Sequence, residues 1–425
     1  GWGKSVLLHD LAVEHRNTGI PLFLKSDRLQ GNNWIEFATA LGLPTTDPRL
    51  LLTELAAGGP PILFLDGIDR INGARRNVIV DLLNTMFAAP DSPWRVVATL
   101  RDTGIEPLRT WLPQVAIGQG VGSVEVPAFD DAESATLSAQ QPSLRPLLLG
   151  NSKLQAIARR PFFASVLAKA TPGKAGTDAP APQSEADLIK QWWKGGGYGA
   201  DPASVLQRKR ALLEIASACA SRSGMNVRLS RLAPETAARL HELVEDGIIQ
   251  AVGDDDRYRF AHDIYFEWSF YQFLRDREDD WIATLSEAGE PPVLGRVVEL
   301  LAQSKLASGD WAADLAALET SALRAQWRRA WLVGPLASAD FEDHQDAFES
   351  AVSADGYNRL NQLLVWFQAE RTTPNALVLQ NENLPYSGSE RIRYADRFGW
   401  PSDPRAWRRL IEWAIEREGQ LPAEV

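Results

Sequence analysis

The sequence predicts an α/β domain with a parallel sheet at its N-terminal end, followed by segments built mainly from helices. Two observations carry this expectation. Residues 1 to about 130 alternate short apolar runs with stretches whose apolar residues recur at helical spacing, the pattern of parallel strands covered by helices on both faces. Residues 276–425 hold no convincing strand and carry eight of the 15 Trp (281, 311, 327, 331, 366, 400, 407 and 413), large aromatic anchors suited to helix packing.

The elements follow in order. Strands are predicted at Ile20–Leu24, Ile62–Leu65, Arg95–Leu100 and Ser123–Val126. Helices are predicted at about Val6–Glu14 and over Arg75–Phe87, where Ile79, Leu82, Leu83 and Met86 share a face. From 131 to 170 the pattern is helical, and Pro161, after Arg159-Arg160, is predicted to open a new helix. Residues 171–187 are rich in Pro, Ala and Gly and read as an exposed linker or long loop. Residues 188–275 read as three helices and a hairpin, Ile248–Val252 and Arg257–Phe260 around Gly253-Asp254-Asp255-Asp256. That is the layout of a winged helix, and a helix over Asp263–Leu274 follows at once. Asp280-Trp281 recurs as Asp310-Trp311, a faint sign of stacked helical pairs.

Composition narrows the function classes. At roughly 150 residues per domain, a chain of 425 residues holds about three domains. With 45% hydrophobic and 23% charged residues it is no collagen-like or fully disordered chain. The 44 Lys and Arg against 55 Asp and Glu leave a net charge of -11, which argues against nucleic acid as a partner without a local basic patch. A lone Cys219 excludes internal disulfides and Cys-rich zinc sites. The five His form no HExxH pair. No apolar run approaches the roughly 20 residues of a membrane span, so no membrane segment and a cytoplasmic location are expected. Gly1 stands first in place of Met, so the sequence is expected to continue upstream, where targeting signals would lie.

Gly1-Trp2-Gly3-Lys4-Ser5 matches the end of the phosphate-binding pattern G-x-x-x-x-G-K-[ST]. Glycines let backbone N–H groups turn toward a β-phosphate. Lys4 can bridge the β- and γ-phosphates, and the Ser5 hydroxyl can ligate Mg²⁺. The helix opening at Val6 points its N-terminus at the anion. A bare G-K-S also occurs as an ordinary turn before a helix. The context is Pro61-Ile62-Leu63-Phe64-Leu65-Asp66-Gly67-Ile68-Asp69. It places Asp66 at the C-terminal end of a buried strand, the edge where α/β sheets bind ligands. Asp66 can hold Mg²⁺ through water, and Asp69 can orient or deprotonate an attacking water. The alternative is that both aspartates cap the following turn. Arg101, just past the third strand, can sense a γ-phosphate or simply pair with Asp102. The expected fold is therefore an α/β P-loop NTPase whose first strand precedes the sequence, then a helical domain, a winged helix and an all-α region. The boundaries are 1–130 for nucleotide binding, 131–187 for the small helical domain and linker, 188–275 for the winged helix, and 276–425 for the C-terminal helices.

With these motifs in place the sequence resembles the STAND class of signalling NTPases, in its NACHT-type branch. Further matches are Thr99-Leu100-Arg101, Val126-Pro127-Ala128-Phe129-Asp130, Arg160-Pro161-Phe162 and Phe260-Ala261-His262-Asp263 with Glu267 after it. They keep the family's order over about residues 1–275. The resemblance implies ATP/ADP and Mg²⁺ as cofactors, Pro161 packed near the adenine and ribose, and His262 reaching the β-phosphate of ADP to lock a closed state. A core histidine with a satisfied hydrogen bond is the alternative for His262. The resemblance further implies a switch that oligomerises when its C-terminal helices sense a protein trigger, in relatives often for antiviral defence or regulated cell death. Arg70 stands where family members often carry Glu. That leaves Asp69 as the main acidic candidate and slow hydrolysis as the expectation. Two other readings stay open: an AAA-type ATPase acting on DNA through the winged helix, with Arg208-Lys209-Arg210 as a basic patch, and a scaffold that holds nucleotide without hydrolysing it.

Overall fold

The computed structural model describes residues 3–71, 73–89, 91–100, 108, 110–117, 124, 126–150, 155–170, 185–198, 201–221, 225–252, 256–338, 340–381, 388–417, 419 and 421. The fold is mostly helical with one small parallel sheet. The chain divides into two compact units. The first holds Gly1–Pro127 and Thr373–Trp400, the second Ala128–Thr372 and Pro401–Val425.

In the first unit α1 (Lys4–His15) is followed by β1 (Ile20–Lys25), α2 (Trp34–Ala40), α3 (Pro48–Ala57), β2 (Pro61–Asp66), α4 (Arg76–Met86) and β3 (Arg95–Ala98). The strands are parallel in the order β1-β2-β3, with Leu22 opposite Leu63 and Leu63 opposite Val96. Helical crossovers make parallel pairing possible. They are closed by local signals: Asn33 caps α2 by accepting from the Glu36 N–H, and Asp47 caps α3 before Pro48. β2 is central and buried on both faces, with Leu63, Phe64 and Leu65 all within 2% of full burial. Phe64 packs against Leu8 and Ala12 of α1. Leu63 and Leu65 face a larger core with Ile79, Leu82 and Leu83 of α4.

Two strand expectations change. β3 ends at Ala98, short of Leu100, because the Thr99 carbonyl turns to accept from the Ile68 N–H. Of the expected strand Ser123–Val126, Val124 and Val126 belong to no strand, and Val124 is 88% exposed. Residues 123 and 125 lie outside the described residues, as does most of the expected linker. Its last residues, Glu185–Asp187, form the first turn of a helix running to Lys194, where two carboxylates suit the helix N-terminus.

In the second unit Asp130 and Glu133 form a capping box at the start of the Asp131–Gln140 helix. Helices Pro161–Ala170, Glu185–Lys194 and Pro202–Ala220 follow. An antiparallel sheet orders β4 (Val227–Arg228), β6 (Arg257–Phe260) and β5 (Ile249–Val252) in that sequence. The Asp263–Arg275 helix is buried nearly all round, from Tyr265 and Phe266 through Trp268 to Leu274, as a helix enclosed by others must be.

The C-terminal helices give the Asp-Trp recurrence a structural meaning. Trp281 and Trp311 each open a helix directly after the Asp, and both rings are buried. Both converge on Trp331. Its ring stacks on Trp281 at 4.7 Å, its indole N–H donates to the Trp311 carbonyl at 3.2 Å, and the Trp311 indole N–H donates to the Trp331 carbonyl at 3.2 Å. The expectation of no strand beyond residue 276 is corrected by a two-residue pair, Thr372–Thr373 and Trp400–Pro401. Among the described residues no helix is long and apolar enough to cross a membrane.

Candidate functional site

The first constellation sits at the C-terminal edge of the parallel sheet. Gly3 is the N-cap of α1 at φ 79°, and Gly67 follows β2 at φ 69°. Both conformations favour glycine, since a Cβ crowds the backbone there. The helix begins two residues earlier than its apolar pattern predicts, so Lys4 and Ser5 lie in its first turn. Its first internal bond runs from the Leu7 N–H to the Gly3 carbonyl at 2.9 Å. The N–H groups of Ser5 and Val6 therefore point out of the helix end, as an anion site needs. Gly1 lies outside the described residues.

Asp66 is the last residue of the central strand. The Ser5 hydroxyl, 61 residues away in sequence, donates to Asp66 Oδ1 at 2.7 Å. The Thr99 hydroxyl donates to the same oxygen at 2.8 Å and accepts from the Gly67 N–H at 2.8 Å. The backbone repeats the tie: the Thr99 N–H donates to Leu65 at 2.9 Å, and the Ile68 N–H donates to Thr99 at 3.0 Å. Asp66 thus answers two hydroxyls, and the turn after β2 is headed by Gly67 with no side-chain cap. Asp69 lies in that turn, Ile68–Arg70, half-buried on the same sheet edge. Arg101 lies outside the described residues.

Ser5 and Asp66 offer hard oxygens beside a helix N-terminus, the donor chemistry of Mg²⁺. Among the described residues no group of three or more His, Cys, Asp or Glu forms a metal cage. A cation here would take few protein ligands and depend on phosphate and water for the rest, as Mg²⁺ commonly does with nucleotides.

The second constellation lies in the second unit. Pro161 opens its helix as expected. The neighbouring Phe162 ring stacks on the His262 imidazole at 3.9 Å and meets Tyr265 edge-on at 5.2 Å. His262 caps the Asp263–Arg275 helix, its Nδ1 accepting from the Ile264 N–H at 3.1 Å. With Nδ1 an acceptor, the neutral ring carries its proton on Nε2. The structure thus brings the Arg160-Pro161-Phe162 and His262 motifs side by side.

Three side chains gain roles that sequence reasoning did not assign. Thr99 was visible only as part of a motif, and its place at the strand end beside Asp66 was the available signal. Arg208, read as part of a basic run, is only 3% exposed. It donates to the Gly196 carbonyl at 2.9 Å, to Glu242 at 3.3 Å and to Asp246. Glu267 is buried beside Arg296 of the Gly295–Ser308 helix, 3.4 Å away. Burial pushes its carboxyl up to about 7, against the pull of Arg296 and with the repulsion of Asp263 and Glu185.

No protein-family model matches the chain, and no curated protein matches it.

Proposed function

We propose that the chain is a nucleotide-controlled switch of the STAND/NACHT type that binds ADP and ATP with Mg²⁺ and hydrolyses ATP slowly. The observation that carries this reading is the 2.7 Å bond from Ser5 to Asp66. It joins the G-K-S motif at a helix N-terminus to a carboxylate ending the central strand. Lys4 offers a cation to the β- and γ-phosphates, and the first-turn N–H groups of α1 cradle the β-phosphate. Ser5 and Asp66 would hold Mg²⁺, which supplies charge neutralisation across the phosphates when bound. Asp69 orients or deprotonates the attacking water, and Arg101 senses the γ-phosphate.

In the proposed ADP state Pro161 packs near the adenine and ribose. His262 donates from Nε2 to the β-phosphate, a role its Nδ1 acceptor bond supports. Exchange for ATP shifts the balance only by the difference in affinity between the two states, and γ-phosphate contacts to Lys4 and Arg101 supply that difference. The open form is proposed to oligomerise after the C-terminal helices meet a protein trigger. A DNA-gripping role is less well supported, since Arg208 is committed to Glu242 and Asp246.

The test is nucleotide binding by calorimetry. Lys4→Ala is expected to weaken ADP and ATP binding by about 100-fold, the scale of a lost buried charge contact. Unchanged binding in that variant overturns the switch. His262→Ala is expected to weaken ADP by about 10-fold and leave ATP near wild type, and equal ADP affinity removes the lock.

A further inference from the structure

We propose that Thr99 is the positioning residue that sets how strongly Asp66 engages a nucleotide-bound divalent cation. The inference rests on the nucleotide reading above and adds a residue to the same site. A hydroxyl has one proton. The Gly67 N–H fills an acceptor site on Thr99 Oγ1, and the proton goes to Asp66 Oδ1. The carboxylate is therefore held from the residue that follows β3, through a group whose own direction is fixed by the backbone turn after β2. Ser5 donates to that same oxygen. Ser5 can offer a lone pair to a cation only while its proton has an acceptor elsewhere, and Asp66 is that acceptor. Thr99 keeps that acceptor in place while Ser5 donates to it and turns a lone pair to the cation. Outer partners of this kind orient ligands and typically change metal affinity by about 10–100-fold when removed.

Thr99→Val keeps the shape and removes the donor, whereas Thr99→Ser keeps the donor. ADP binding to the full chain is measured by calorimetry across a Mg²⁺ titration and again in EDTA. For Thr99→Val, the Mg²⁺ concentration giving half-maximal enhancement of ADP binding is expected to rise by about 10–100-fold. Metal-free ADP affinity stays at the wild-type value, and Thr99→Ser restores the Mg²⁺ response. Should Thr99→Val fail to fold, Thr99→Cys against Thr99→Ser makes the same comparison, since a thiol is the weaker donor. The inference falls if the donor-deficient variant keeps the wild-type Mg²⁺ response, or if it loses ADP affinity equally with and without metal. It also falls, together with the Mg²⁺ role of Ser5 and Asp66 but with nucleotide binding itself intact, if the wild type binds ADP without regard to Mg²⁺. A wild type that binds no ADP at all overturns both.

Discussion

Glu267 shows how one buried carboxylate makes stability depend on pH. Its residue is 9% exposed, and its Oε2 finds no hydrogen-bond partner although Arg296 lies 3.4 Å away. Arg296 also donates to Glu185, so its charge is shared. Burial raises the folded-state value from 4.5 to about 7. Between those values the folded chain binds the extra proton, so this group's contribution to stability falls as pH rises and levels off above the folded value. Glu267→Gln removes that dependence. The melting-temperature advantage of the variant over wild type is expected to grow between about pH 5 and pH 8. The full gain is on the order of 3 kcal/mol, at about 1.36 kcal/mol for each pH unit between 4.5 and about 7. A difference that stays constant with pH contradicts this account.

At the scale of elements, Trp331 is the clearest point of leverage. Its side chain stacks on Trp281 and donates its indole N–H to the Trp311 carbonyl, so one side chain ties three helices. Trp331→Ala is expected to cost about 3–5 kcal/mol in chemical denaturation, by cavity formation with loss of the paired N–H. Trp331→Phe should retain part of the stacking and lose less. The recurrence of Asp-Trp in sequence pointed to this layer, but the convergence on Trp331 depends on helices folding back and had no local signal. The same division runs through the fold. β2 was legible because a strand buried on both faces is a continuous apolar run, and Asp66 at its end followed from the sheet-edge rule. β4 was not, since Val227 and Arg228 become a strand only by pairing with Tyr258 and Arg257. Arg208 was misread because a charge run looks solvated until tertiary contacts supply Glu242 and Asp246. Ser5 and Asp66 were each legible as candidates, and their direct contact with a shared partner in Thr99 was not.

For the whole molecule, the proposed switch is tested by whether ADP protects one unit or both. Each has its own buried core, one around Leu63, Leu65 and Ile79, the other around Trp192, Trp268 and Trp331. The candidate groups are divided between them: Lys4, Ser5, Asp66 and Asp69 in the first, Pro161 and His262 in the second. A ligand stabilises only what binds it, by about 2.7 kcal/mol at 100 times its dissociation constant. If ADP engages His262 as proposed, saturating ADP should raise the unfolding transitions of both units together. In His262→Ala the first unit alone should keep most of its gain. Calorimetric scans with hydrogen-exchange readout of Asp66 and Ile264 distinguish the two units without separating them. A second unit whose protection ignores ADP in the wild type would mean that nucleotide is a ligand of the sheet domain only. The energy to drive a switch must come from differential binding, so that result would remove the proposed ADP lock and leave the proposed phosphate site standing.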